Sequence, residues 1–313
     1  MTSSSPVSGI ALALLSAALC TGTPVRAQLT SVFADGFESG NTLAWSASAG
    51  EPALAPAEVF RLSDLDLRDP HLYVTVPIVG CFDFTDQDFP FGLGQSFNGQ
   101  LQAAITGDSE PDGLLDSSFL LEYRPFDEAA AGLRVDLGNG LCTAPMAGTT
   151  CAPDPASVPQ TALYDGQAAG SCLGALDGTT HPPYTPEVAS VAGPCFVSAP
   201  RRVVFDLNGV VLPLTDLQIA GDWTATPVTG FATGLMRGFL SEAEAATVLL
   251  PAGLPIVGGD PITVLLPGGA GNCAGHDDRD TRLGISGWWF YFNFPADAVL
   301  WTGDAIGAGA GNG

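Results

Sequence analysis

The sequence is expected to fold as a mainly β protein, with β-sandwich or jelly-roll-like sheets, few short helices and one disulfide-stapled irregular excursion. Three observations carry that expectation. Short runs rich in β-branched and aromatic residues recur between Gly, Pro and Asp punctuation, from Leu72 to Phe294. With 39 Gly and 25 Pro in 313 residues and only 14% charged residues, the composition is that of a turn-rich chain and not of a helical one. Hydrophobic residues make up 46%, ordinary for a folded globule, and the length suffices for a single large β domain with a sizeable core.

In chain order, residues 10–19 (IALALLSAAL) form an apolar run too short to cross a bilayer, and Val25-Arg26-Ala27 offers the small residues at which a signal peptidase cuts. Residues 1–27 therefore read as a signal peptide, with the mature chain starting at Gln28. Leu19, preceding Cys20, is not the small residue that lipid attachment requires. Further on there is no stretch of about 18 uninterrupted apolar residues, so no membrane insertion is expected.

Residues 28–52 form a separate N-terminal segment. Here Asp35-Gly36-Phe37-Glu38-Ser39-Gly40, followed by Trp45, resembles a short DGFESG…Trp segment that recurs near the ends of many exported proteins of Gram-negative bacteria with otherwise unrelated bodies. The resemblance covers a small fraction of the chain and implies export, with no transferable activity. The same residues look like the opening strand of jelly-roll carbohydrate-binding and MAM-type modules. Read from the residues alone, they make a strand with Phe33 and Phe37 packed and Gly36 and Gly40 in turns.

The β-rich body is placed at 53–302. Strands are expected at 72–79, 97–106 and 118–124, then at 202–207 and 210–214 joined by Asn208-Gly209, a strong hairpin signal. Further strands follow at 217–223, 230–240, 262–266 and 288–294. The last is apolar on both faces and should be central, with a layer against each side. One helix is expected at about 242–250, where Ser241 and Glu244 have capping-box spacing, and a turn after Asp127. Between 138 and 200, four cysteines and many prolines with little periodicity suggest an irregular excursion over one face of a sheet. The tail 303–313 reads as disordered.

Export to an oxidising compartment makes the six remaining cysteines disulfide candidates: Cys81, Cys142, Cys151, Cys172, Cys195 and Cys273. Fifteen pairings are open. The expected set is Cys142–Cys151, Cys172–Cys195 and a long Cys81–Cys273 closure. A zinc site built on cysteines is disfavoured, because no CxxC occurs and the three histidines, His71, His181 and His276, are far apart in sequence.

All ten basic residues are Arg against 33 acidic ones, giving a net charge of −23, or −24 once Arg26 leaves with the leader. The absence of lysine excludes Schiff-base chemistry and a P-loop lysine, and the charge argues against nucleic acid or an anionic membrane as partner. There is no GxSxG, GxGxxG in a strand-to-helix setting, or HExxH.

Three clusters could carry chemistry. Asp108, Glu110, Asp112 and Asp116, with Gly113, follow the alternation of a calcium loop, since calcium gathers six to eight oxygens and closely spaced carboxylates supply several. The run resembles the DxDxDG loops of EF-hand and thrombospondin-type repeats, but position 3 is Glu and position 12 is Phe119. The second cluster, 271–280, contains a GxCxG around Cys273 that mimics a nucleophile elbow, and His276 with Asp277, Asp278 and Asp280, which could hold a divalent metal or orient a base. Third, Asp83, Asp86, Asp88 and Glu122 are conceivable members of a paired-carboxylate hydrolase, and Trp288-Trp289 could stack on sugar. The functional expectation is an exported, secreted or periplasmic, non-catalytic protein with calcium as its candidate cofactor, binding a carbohydrate surface polymer or a partner protein. The alternative is a secreted, carboxylate-based hydrolase acting on glycans.

Overall fold

The computed structural model describes residues 57–303 and Ile306, apart from 93, 130, 208 and 255. The leader 1–27, the Asp35–Gly40 segment with Trp45, and the rest of the tail lie outside the described residues.

Where apolar and polar side chains alternate, the chain runs extended. Arg201–Leu207 buries Val203, Phe205 and Leu207 in turn, and Val210, Leu212 and Leu214 oppose them after the turn at Gly209. Among the described residues there are seventeen strands: β1 (Glu58–Leu62), β2 (Asp66–Asp69), β3 (Tyr73–Val76), β4 (Gly80–Asp83), β5 (Phe119–Tyr123), β6 (Ala131–Cys142), β7 (Thr150–Pro153), β8 (Gln160–Gln167) and β9 (Ser171–Leu173) in the first half. The second half supplies β10 (Val191–Ala192), β11 (Cys195–Ser198), β12 (Arg201–Leu207), β13 (Val210–Asp222), β14 (Gly230–Ser241), β15 (Asp280–Arg282), β16 (Ile285–Ala298) and β17 (Leu300–Trp301).

The order β6-β5-β1-β16-β14-β13-β11-β8 returns to β6 through a β6–β8 pairing, and every step is antiparallel. The expectation of a mainly β body holds, and its pairing is one closed barrel instead of two facing sheets. Closure removes free edges. The barrel is plugged by its own side chains: Phe60, Tyr123, Tyr164, Phe196 and Phe231 are nearly inaccessible and meet largely edge-on or tilted, as aromatic quadrupoles prefer.

At the other end the barrel flares. The long strands β13, β14 and β16 run past their barrel partners and acquire new ones, β12 on β13 and β2 and β15 on β16. Residues 287–294 of β16 are buried on both sides, as its two-sided apolar pattern predicts. Trp288, Phe290, Phe292 and Phe294 enter the main core, whereas Trp289 and Tyr291 pack with Leu173 and Val191 beneath the β9/β10 segment.

The stretch 97–106 is an α-helix, α1 (Phe97–Thr106), and not the expected strand. Its apolar residues Phe97, Leu101 and Ile105 fall four apart on one helical face, and the Ser96 hydroxyl caps it by accepting from Gly99 N at 3.1 Å. Asn98 pins it to β2, accepting from Leu67 N at 2.8 Å and donating to Leu67 O at 3.0 Å. The Arg61 guanidinium, 1% exposed, donates to the Ile105 carbonyl and to Ser117 O at 3.1 Å, and burial lowers its pKa to about 10. Ile262–Val264 is a 3₁₀ turn instead of a strand, because it starts at Pro261 and closes Val264 N→Pro261 O within four residues. The second helix, α2 (Glu242–Ala245), has the expected Ser241 cap but covers a single turn of the span 242–250. Within 138–200, β8 and β11 are barrel staves, and the irregular part is the loop that β9 and β10 bracket.

All three expected disulfides form: Cys81–Cys273, Cys142–Cys151 and Cys172–Cys195. Such bridges belong to proteins of oxidising compartments. No helix among the described residues is long and apolar enough to cross a membrane.

Candidate metal centre

The chain holds three histidines, and the fold brings all three together at the flared end. His71 lies between β2 and β3, His181 and Tyr184 lie in the β9–β10 loop, and His276 and Asp278 lie in the segment before β15. The His181 and His276 rings stack at 4.3 Å and 9°, and the His71 ring stacks on Tyr184 at 3.7 Å and 6°. Tyr73 meets His276 edge-on at 5.4 Å.

Asp278, whose side chain is 5% exposed, joins the pair of imidazoles. Its two oxygens face different histidines: Oδ1 is 3.5 Å from His181 Nδ1 and Oδ2 is 3.5 Å from His276 Nε2. Tyr184 donates its hydroxyl to Asp278 Oδ2, and the Tyr184 hydroxyl oxygen lies 2.8 Å from His276 Nε2. Among the described residues, His181, His276 and Asp278 are the one group of three such side chains whose ligand atoms all lie within 4.8 Å of one another.

Further carboxylates surround the group. Asp83 Oδ2 is 2.6 Å from His71 Nδ1, and Thr85 donates to Asp83 Oδ1 from both N, at 3.0 Å, and Oγ1, at 2.8 Å. Burial pushes the Asp83 carboxyl up, but these hydrogen bonds outweigh it and hold the carboxyl below its ordinary range. His71 Nε2 is buried without a hydrogen-bond partner, 3.9 Å from Asp86 Oδ2. Asp69 Oδ2 accepts from His181 N at 2.8 Å. Burial, offset by that hydrogen bond and reinforced by Asp278 and Asp280, raises Asp69 to about 8. Asp280 rises to about 6, mainly through burial. Tyr73 is pushed up to about 12 by burial and by Asp83, and burial with Asp278 raises Tyr184 further. The arginines nearest in sequence are turned elsewhere: Arg68 to Asp66 at 2.6 Å, Arg279 to Asp277 at 2.6 Å and Glu242 at 3.3 Å, and Arg282 to Asp216 at 2.6 Å. The centre is thus rich in oxygen and imidazole ligands and poor in compensating cations.

Two disulfides hold the segments that deliver these side chains. Cys81–Cys273 ties the β4 strand carrying Asp83 to the segment carrying His276, and Cys172–Cys195 closes the loop carrying His181 and Tyr184. The sequence singled out His276, Asp278 and Asp280 as a cluster but not His181 and Tyr184, or the still more remote Asp69 and His71, all of which precede it in the chain.

The other sequence candidates fall outside this centre. In the 108–116 loop the carboxylates fold back on their own backbone: Asp108 accepts from Asp112 N at 3.1 Å and Gly113 N at 3.0 Å, Asp112 from Leu114 N at 2.8 Å, and Asp116 from Ser109 N at 2.9 Å, while Glu110 is exposed. Cys273 is consumed by its disulfide and is no nucleophile. Asp88 accepts from Ser96 N at 2.9 Å, and buried Glu122 binds Arg124 and Ile306 N, both at 2.6 Å. Trp288 and Trp289 are core residues, 0% and 8% exposed, so they form no sugar platform; Trp288 Nε1 donates to Pro267 O at 2.8 Å. Comparison with protein-family models, with curated proteins and with solved structures finds no match to this chain.

Proposed function

We propose that this is an exported, secreted or periplasmic protein that binds one divalent first-row transition metal at His181, His276 and Asp278, with Tyr184 at the fourth corner. The observation that carries the reading is the convergence of two segments, remote in sequence, on two imidazole nitrogens and one buried carboxylate. Imidazole with a carboxylate suits zinc and its neighbours, whereas calcium takes oxygen alone. A tetrahedral zinc site with bonds of about 2.05 Å separates neighbouring ligand atoms by about 3.3 Å. Each Asp278 oxygen lies 3.5 Å from one of the two imidazole nitrogens, and one ligand atom from each of the three side chains lies within 4.8 Å of the others, the range from which such a spacing is reached by small side-chain movement. A bound dication would also offset the clustered charge of Asp278 and Asp280.

We favour this site over the calcium loop expected at 108–116, whose Asp108 and Asp116 carboxylates are engaged by backbone N–H groups of their own loop. The test is calorimetric titration of zinc into chelator-stripped protein. One equivalent should bind, binding should vanish in His181→Ala/His276→Ala, and protons should compete as pH falls. Calcium should bind far more weakly to the same preparation. Absence of saturable zinc binding, or its survival in the double variant, would refute the assignment.

A further inference from the structure

The flared end contains a second feature that the metal reading leaves unused. A cavity of about 190 Å³ lies between β2, α1, the β12–β13 hairpin, β16 and the 250–265 segment, walled by Leu72, Phe84, Leu101, Leu212, Leu265 and Phe292. Of its described lining residues only Gln100 is polar. A second cavity of about 120 Å³ adjoins it, sharing Phe84, Gln100 and Leu254, and adds one more polar residue, Gln95. Leu72 and Phe84 are one residue from His71 and Asp83 respectively, so two segments that border the metal centre also wall the cavity.

We propose that this cavity is a binding site for an uncharged, mainly hydrocarbon molecule somewhat larger than benzene. Protein interiors pack closely, and voids of this size are few. A cavity of about 150 Å³ lined by Leu, Ile and Phe stays dry and takes benzene. The present one is larger and lined in the same way, with room for a substituted ring or a chain of similar bulk. Its walls also set the ligand's charge. Among the described residues neither a carboxylate nor an arginine lines either cavity, so a fatty acid or an amine would bury an unpaired charge. Gln95 and Gln100 can serve at most one weakly polar end, such as a hydroxyl or an ester.

The entrance lies where the walls are least buried. Gly253 is exposed, and Gln100, Phe97 and Leu254 are half-buried. The 251–259 loop over this rim is closed at its neck by Leu250 N→Asp260 O at 2.9 Å and Gly259 N→Leu250 O at 3.0 Å.

Toluene, 1-octanol and octanoate, each titrated into the mature protein at pH 8 and read by thermal unfolding and calorimetry, test the assignment. Toluene and 1-octanol should raise the unfolding midpoint with concentration, as a ligand of the native state must, and octanoate should not. Leu101→Trp, which fills the cavity, and Gln100→Trp, which obstructs its shared wall from a half-buried position, should each weaken binding at least tenfold while leaving zinc binding intact. If Leu101→Trp does not fold, Gln100→Trp decides. No shift with either neutral probe, equal binding of octanoate, or full binding in the variants would overturn the proposal. Zinc titration of the same samples reports separately on the metal centre.

Discussion

The disulfides give the sharpest test of how the site is assembled, because their contributions to stability and to metal binding should rank differently. In the chain-entropy relation a cross-link is worth more the longer the loop it closes. The separations are 192 residues for Cys81–Cys273, 23 for Cys172–Cys195 and 9 for Cys142–Cys151. These convert to upper limits of about 5, 3.4 and 2.6 kcal/mol respectively. Cys142, Cys151 and Cys195 are fully buried, so alanine is the right replacement, as serine would add an unpaired hydroxyl. Urea unfolding of the three paired Cys→Ala variants should give stability losses in that order. Zinc affinity should behave otherwise. Opening either Cys81–Cys273 or Cys172–Cys195 frees a segment that carries ligands, and should cost about tenfold or more, the scale of losing support behind a metal ligand. Opening Cys142–Cys151, on the β6–β7 hairpin, should leave affinity unchanged. If all three variants lose zinc in proportion to their stability, the bridges support only the fold. If the Cys81–Cys273 variant stays folded with native affinity, the claim that the bridge sets the ligand geometry fails.

Three other outcomes follow from single contacts. Ser96→Ala should cost about 1 kcal/mol by uncapping α1, measurable as a drop in urea midpoint at unchanged slope. Gly234→Ala would place a Cβ 2.3 Å from Phe294 Cε2 in the barrel wall, and should destabilise by about 1–3 kcal/mol or more, read in the same assay. In the metal-free protein Asp69, raised to about 8 by burial and facing Asp278, Asp280 and the His181 N–H, keeps a proton that the unfolded chain releases near pH 4, so stability should fall as pH rises between those values, by at most about 1.4 kcal/mol per unit. Asp69→Asn should flatten the fall, and a profile identical to that of the parent protein would remove Asp69 as its source.

Local pattern made the strands legible, and tertiary contact decided what it did not. Alternation in 202–207 and two-sided apolarity in 288–294 are properties of the strands themselves, so both were readable. The helix at 97–106 was not, since FNGQLQAAI shows apolar residues at both even and fourth-residue spacing; the Ser96 cap was the signal that separates them. Barrel closure depends on β6 bonding to both β5 and β8, a long-range choice with no local signature. The metal centre was half visible. His276 and Asp278 sit two apart, but His181 and Tyr184 arrive from a loop that the sequence showed only as irregular, and His71 comes from a third segment. Separation along the chain counted against zinc, although the Cys81–Cys273 and Cys172–Cys195 bridges are the kind of device that cancels such separation.

The two ends of the barrel divide structure from chemistry for a physical reason. At the closed end, Gly221 and Gly234 let Phe196, Phe231 and Phe294 pack where any Cβ would come within 3 Å of a ring, so the aromatic plug is tightly packed. At the flare, β13 shifts register between Thr215 and Gln218 as it changes partner from β11 to β12, and β16 likewise passes from β1 to β2. Each change of partner opens the ring, and the gap must be covered by segments outside it. Those covering segments are the β3–β4 hairpin, α1, the 250–280 stretch and the β9–β10 loop, which between them carry the three proposed metal ligands and part of the cavity wall. Variation at the flare should therefore alter binding with modest loss of stability, whereas variation among the aromatic residues of the plug should unfold the protein before it changes what is bound.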